Sequence, residues 1–365
     1  MNKRLEEIQF ARAFAMFAVL FVHFSSTGLV AMPVTSEMFY VYSTFNTIGK
    51  LGVPVFFFLS GLVLFYSYNK RPFTKETMIS FYKKRMKFII IPYVMISIFY
   101  FAGKVVVYNN YSSVYEMVQA FVSQLMVGKV YTHLYFLFVL IQFYLIFPFI
   151  LYVFKEVRVR VIPVLIISLI IQFTWFYVNK NFIQVEARGS IFLSYFSFFL
   201  FGAAVGVNYL QLDKWWDENK KKFAVITVSL FAIALVPLLL VDMSIRAGTI
   251  AEWLPSSPYR SYIFDWLWVF FGLTGGIMTL WLGKMVIRLN YSHLSSFLNQ
   301  LANLSFGIYL IHPFFLIFFR AGLPGTTPLL FHGWQLFTAI AITAICWVIT
   351  SVLSKNKYGW IIIGK

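Results

Sequence analysis

Two ionisable side chains bracket ten apolar residues in the stretch RAFAMFAVLFVH, Arg12 to His23. A neutral imidazole can take a proton from a hydroxyl or accept an acyl group itself, and a guanidinium grips phosphate oxygens with paired donors. Eleven residues of α-helix make close to three turns, so the two side chains share a helix face about 16 Å apart along the axis. They cannot touch. On one face they describe a channel with a cationic mouth at Arg12 and a titratable group inside it at His23. Arg12 alone also reads as an interfacial anchor that snorkels to the boundary. For His23, simple satisfaction by a neighbouring helix stays open beside a chemical role, because an imidazole deep in a bilayer needs a hydrogen-bonding partner or a wet cavity.

The elements that position this pair are membrane helices. Sixty per cent of the 365 residues are hydrophobic, 21% aromatic and 12% charged, far more apolar than the roughly 45–50% of soluble domains. Apolar runs long enough to cross a bilayer recur at 10–31, 47–68, 88–108, 133–154, 161–179, 190–208, 222–242, 262–283, 303–320 and 335–354. The expected fold is an all-α integral membrane protein of about ten transmembrane helices, a single domain over residues 1–365 with no appended soluble domain. The first helix, followed by no small-residue cleavage site, is expected to stay as a signal anchor. With both termini cytoplasmic, 21 Lys and Arg fall in inner segments and 8 in outer ones (Lys50, Lys104, Lys129, Lys180, Arg188, Arg246, Arg260, Arg320), which obeys the positive-inside rule. The net charge of +17 sits in short connectors, so the expected partners are anionic lipid and phosphorylated substrates and not nucleic acid. Cys346 is the single cysteine, which excludes an internal disulfide or a cysteine metal cluster. No metal site is expected.

Arg, ten residues and then His in a first helix resembles the signature of the acyltransferase-3 family of integral membrane O-acyltransferases. Further segments agree in chain order: GVPVFFFLSGLVLF (Gly52 to Phe65), FYKKRMKFIIIPY (Phe81 to Tyr93), HLYFLFVLIQFYLIFP (His133 to Pro148) and SFGIYLIHPFF (Ser305 to Phe315). FFLFGAAVGVNY and the closing IIIGK are similar to the branch containing the intercellular-adhesion polysaccharide protein and related Gram-positive acyltransferases. One departure stands out. Many members carry a Trp and then an acid ahead of Gln-Phe-Tyr in the fourth helix, where this chain has Tyr135 and, before Gln142, Leu140 and Ile141. Glu37, Glu186, Glu252 and Asp265 are the available substitutes for that missing acid.

The resemblance implies an acyl-CoA donor, acetyl-CoA or succinyl-CoA, as co-substrate with no bound cofactor. It also implies a hydroxyl acceptor on a cell-surface polysaccharide or its lipid-linked precursor, at the plasma membrane of a bacterial cell. His23 is the expected catalytic residue. Arg12, Arg71, Lys83, Lys84, Arg85 and Lys87 are the expected donor-binding cations, though the positive-inside rule alone also accounts for the basic residues of the loop. Ser60, Tyr309 and His312 are expected to line the channel or the acceptor side. Pro313 is expected to interrupt the helix after His312 and free backbone groups, and Tyr309, on the same face as His312, to donate a hydrogen bond to it. His133, His293 and His332 are expected at interfaces. The alternative from another class is a polysaccharide exporter or flippase, which without a GxxxxGK[ST] motif could not be an ATPase itself.

Overall fold

A computed structural model describes residues 5–108, 111–248, 259–322 and 328–364. Among them no strand occurs, and nine helices are long and apolar enough to cross a membrane, or ten if Phe192–Val207 and Tyr209–Glu218 are counted as one broken span. The helices run α1 (Glu6–Ala31), α2 (Glu37–Gly49), α3 (Gly52–Tyr68), α4 (Lys75–Arg85), α5 (Ile91–Tyr108), α6 (Val114–Leu125), α7 (Tyr135–Glu156), α8 (Val161–Val178), α9 (Phe196–Val207), α10 (Tyr209–Glu218), α11 (Lys220–Ala247), α12 (Tyr259–Leu289), α13 (Ser292–Ala321), α14 (Pro328–Lys355) and α15 (Trp360–Ile363). One π-helical turn joins α4 to α5 and another follows α8. The chain is a multi-pass membrane protein of the expected all-α class.

The ten expected spans correspond to real helices, with differences that have physical causes. Most run several residues past their apolar stretch, because helical hydrogen bonding continues into the polar boundary: Tyr259–Leu289 stands where hydropathy marks 262–283. The expected sixth span is the exception. Residues 188–195 form two 3-10 turns, and α9 itself has only 12 residues, about 18 Å at 1.5 Å per residue and short of a ~30 Å hydrocarbon core. Residues 197–206 of α9 are buried without interruption, as befits a helix apolar on all sides that is packed in protein. The amphipathic α6, which buries no residue, is not a span at all. The Tyr93 hydroxyl donates to its Leu125 carbonyl at 2.5 Å.

Two compact units divide the chain. The first comprises Met1–Ser60, Tyr209–Ser305 and Phe315–Ala344, the second Gly61–Asn208, Phe306–Phe314 and Ile345–Lys365. In the first, α1 packs on α2 and α12, and α11 packs on α12 and α2. The approach of α1 to the α2–α3 junction is close enough to require glycine. A Cβ at Gly49 would lie 2.6 Å from the Val22 nitrogen and 2.7 Å from the Ala18 oxygen, and one at Gly52 would lie 2.9 Å from the Ala15 oxygen. In the second unit, α8 packs on α9 and α15 on α5.

The Gly49 contact fixes the part of α1 that carries His23. Gly49→Leu is expected to lower the thermal midpoint of the purified protein by about 3–10 °C through overpacking. Gly103, with open space around it, should tolerate the same change without such a loss, and equal losses at both positions would refute the packing argument.

Candidate functional site

His23 stands in the last third of α1, half-buried, and opens onto a small cavity of about 10 Å³ lined by Phe24, Thr27, Leu316, Phe319, Arg320, Trp334, Gln335 and Thr338. That volume holds about one water. Polar groups gather here within a membrane helix bundle. Gln335 and Thr338 are buried, and the Thr338 hydroxyl has no hydrogen-bond partner among the described residues.

The backbone around His23 is gripped from two sides. Arg320 Nη2 donates to the His23 carbonyl at 3.0 Å while its Nε donates to Thr27 Oγ1 at 3.0 Å. From α2, Asn46 Nδ2 donates to the Val22 carbonyl at 3.1 Å and lies 3.2 Å from both Ser25 Oγ and Ser26 Oγ. A carbonyl oxygen has two lone pairs, so these bonds add to the helical ones without replacing them. They fix the rotation of α1 about its axis and therefore the direction in which the imidazole projects.

Asn46 is itself held by an ion cluster. Its Oδ1 accepts from Arg246 Nη2 at 2.7 Å, and Arg246 Nε donates to Asp242 Oδ2 at 3.1 Å. Lys50 Nζ reaches both Asp242 oxygens at 2.8 Å, and Thr47 Oγ1 donates to Oδ2 at 2.5 Å. Asp242 is buried, and two cations and a hydroxyl meet its charge, as a buried carboxylate requires. Asp242 was not among the expected substitute acids. Its only local signal is that it is the lone acid in the apolar run of α11, at the nominal end of that helix. Of the four that were named, Asp265 is buried, Glu37 opens α2 in an exposed position, Glu186 is exposed beside Lys129 at 3.6 Å, and Glu252 lies outside the described residues.

Arg12 is half-buried, 3.4 Å from Gln9 Oε1 on its own helix. The Ser60 hydroxyl donates to the Phe56 carbonyl at 2.8 Å, a back-bond that occupies its proton and suits a packing residue better than a nucleophile.

The remaining expected site residues belong to the second unit. Lys83, Lys84 and Lys87 line one recess of about 530 Å³ together with Glu76, Ser80 and Phe88. Positions i, i+1 and i+4 share a face, and Arg85 falls off it. Its guanidinium lies 4.7 Å from the Tyr144 ring centre and 5.2 Å from that of Phe81, a cation–π arrangement. Its buried Nε has no hydrogen-bond partner among the described residues. Arg71 lies over the Tyr68 ring at 4.6 Å. Its loop is fixed by Lys155, whose Nζ donates to the Asn69 and Arg71 carbonyls at 2.7 Å each.

Tyr309 and His312 lie on α13 in a buried aromatic cluster with Tyr100, Tyr131 and His133. Three expectations change here. The Tyr309 hydroxyl donates to the His133 carbonyl and not to His312, whose Nδ1 pairs with the Ile308 carbonyl at 3.0 Å. α13 runs unbroken through Pro313, and the Leu310 carbonyl in that stretch accepts from the Tyr100 hydroxyl at 3.0 Å. His133, expected at an interface, is buried in protein, packed against Tyr100 and Tyr309. His293 is exposed, as expected of an interfacial residue, and His332 lies within α14 with its Nδ1 2.8 Å from the Tyr42 hydroxyl.

A family model described as an acyltransferase domain matches residues 5–351, nearly the whole chain. No curated protein and no solved structure matches.

Removing one partner of a buried charge cluster strands the others. Asp242→Ala is expected to cost about 3 kcal/mol of stability, towards the low end of the ~3–5 range because Lys50 and Arg246 stay partly exposed, at 23% and 24%. Thr47→Val should cost only about 1 kcal/mol. Chemical denaturation in detergent separates the two values, and equal costs would show that the carboxylate does not hold the cluster.

Proposed function

The chain belongs to the acyltransferase-3 family and is a membrane acyltransferase; on that premise we propose that it moves an acetyl or succinyl group from cytoplasmic acyl-CoA to a sugar hydroxyl. The acceptor we propose is a cell-surface polysaccharide or its lipid-linked precursor, and the transferred group is not an amino-acyl group. Both termini lie in the cytoplasm in this reading, at the plasma membrane of a bacterial cell.

The observation that carries the proposal is the small cavity at His23, where Thr27, Arg320, Gln335 and Thr338 stand among apolar walls. A sugar hydroxyl is a poor nucleophile at neutral pH until a base takes its proton. His23 acts as that base. The hydroxyl oxygen bonds to the acyl carbon, the carbon–sulfur bond breaks, and the proton held by the imidazole passes to the departing CoA thiolate. Transfer through an acyl-imidazole would use the same side chain: a ring nitrogen takes the acyl group as CoA leaves as its thiol, and the sugar hydroxyl then displaces the imidazole. Arg320 and the Thr338 hydroxyl border the cavity as donors, where negative charge develops on the acyl oxygen.

Coenzyme A carries a nucleotide phosphate and a pyrophosphate, which call for clustered cations. Lys83, Lys84 and Lys87 present three ammonium groups to one recess against the single carboxylate of Glu76, and we assign them to the donor phosphates. Arg71 and Arg85 complete the proposed donor set of the second unit, whose Tyr309 and His312 are proposed to line the acceptor side; in the first unit Arg12 is proposed as a donor-binding cation and Ser60 as channel lining.

With labelled acetyl-CoA and succinyl-CoA, His23→Ala is expected to lower acyl transfer by about 10²–10⁴-fold, the usual range for loss of a general base, without loss of folded protein. Unaltered transfer would remove His23 from the mechanism. Replacing Lys83, Lys84 and Lys87 with Gln together should raise the donor KM by about tenfold or more and leave kcat nearly unchanged. A fall in kcat at constant KM would contradict the donor assignment.

A further inference from the structure

A second recess, of about 480 Å³, opens at one end of the second unit, where the last turn of α5, the turn before α7 and the loop after α8 meet. Its size falls within the ~300–1,000 Å³ of small-ligand sites. Three tyrosines, Tyr131, Tyr135 and Tyr195, form much of its wall, and Lys104 and Lys129 stand among them. Each of these rings is fixed by another. Tyr131 stacks on Tyr100 with ring centres 4.3 Å apart, and Tyr135 stacks on Tyr195 at 6.4 Å with their hydroxyls hydrogen-bonded. Gly128, with φ of +70°, brings the backbone to 2.9 Å between its ideal Cβ position and the Tyr135 Cα, so the turn lies tight against α7. The wall is preorganised.

Rigid tyrosine faces flanked by hydroxyls and peptide groups offer what a sugar ring needs: flat apolar surface for its C–H face and donors and acceptors at the edge. Charge narrows the choice further. Lys104, Lys129 and Arg188 stand at or beside the recess against one carboxylate, Glu186, which is exposed and 3.6 Å from Lys129. Cations are scarce in the outer segments of the proposed topology, so three of eight gathering at one recess is a concentration and not a background. We propose that this recess binds a glycan segment carrying carboxylate or phosphate groups, with the half-buried Tyr131 and Tyr135 stacking on its rings, the buried Tyr195 backing Tyr135, and Lys104 and Lys129 reading its charge. Its role as the acceptor site rests on the acyltransferase reading above; the binding itself does not.

The test uses the full chain in nanodiscs of neutral phosphatidylcholine, with trigalacturonate as the anionic probe and maltotriose as the neutral one, titrated calorimetrically without acyl donor. Trigalacturonate is expected to bind about tenfold or more tightly than maltotriose. Replacing Lys104 and Lys129 with Gln together should erase that preference, Tyr131→Leu should weaken both sugars by about fivefold or more, and Tyr131→Phe should retain binding of both. Binding of neither sugar, or binding that these substitutions leave unmoved, overturns the proposal. Nanodiscs containing phosphatidylglycerol test the other source of anionic groups: competition by that lipid, with no trisaccharide bound in its absence, would make the recess a lipid headgroup site and also overturn it. CoA release from labelled donor, followed in the same preparation, keeps the two readings apart. Release without sugar binding sinks this inference alone, and sugar binding without release sinks the enzyme reading alone.

Discussion

A carboxylate buried in a helix bundle must be met by positive charge, and the organisation of the first unit follows from how Asp242 is met. Lys50 and Arg246 supply the charge and Thr47 a further donor. Because Arg246 has more donors than Asp242 can use, one reaches Asn46, and Asn46 in turn reaches the carbonyl of Val22, the residue before His23. A requirement of solvation thereby becomes a restraint on orientation. Arg320 completes the restraint at the His23 carbonyl from α13. The imidazole is positioned through its backbone by groups that do no chemistry themselves, and its ring is left to face the cavity.

The second unit follows a different rule. Its cations are spread over aromatic rings more than over acids: Arg71 on Tyr68, Arg85 on Phe81 and Tyr144, Lys87 on Trp360 at 4.7 Å, and Arg188 on Phe176 at 4.5 Å. A ring face holds a cation without neutralising it, so these groups keep their charge for an anionic ligand. That is a suitable arrangement for a unit proposed to meet phosphates at one recess and an acidic glycan at another. In the first unit ring contacts accompany ion pairs: Lys284 pairs with Asp213 and lies 4.8 Å from the Trp216 ring centre, Lys50 pairs with Asp242 and lies 4.8 Å from that of Phe264, and Arg288 pairs with Asp217.

What could be read from the chain was local. Hydropathy over windows of one helix located the spans, and the helical period put Arg12 and His23 on one face, because both are properties of neighbours in sequence. The partners of His23 are not neighbours. Asn46 reaches Val22 across 24 residues, Arg246 reaches Asn46 across 200, and Arg320 reaches His23 across 297; no window encodes these contacts. The same distance effect explains His133, which hydropathy sets at a helix end and which Tyr309, 176 residues on, covers. The sixth span differs for another reason: it is a pair of helices, Phe192–Val207 and Tyr209–Glu218, bent by 77°. An apolar run marks burial, and α9 is buried in protein along residues 197–206, so hydropathy does not reveal the break that follows it.

The central claim is that an imidazole at position 23, inside the bilayer, carries the acyl transfer. Chemical rescue tests it most directly: a His23→Gly protein in liposomes, supplied with labelled donor and acceptor glycan, is titrated with free imidazole. The account predicts that transfer is lost and then returns saturably as imidazole fills the vacated space beside Thr27 and Thr338. Full transfer by the variant with no imidazole present would contradict it.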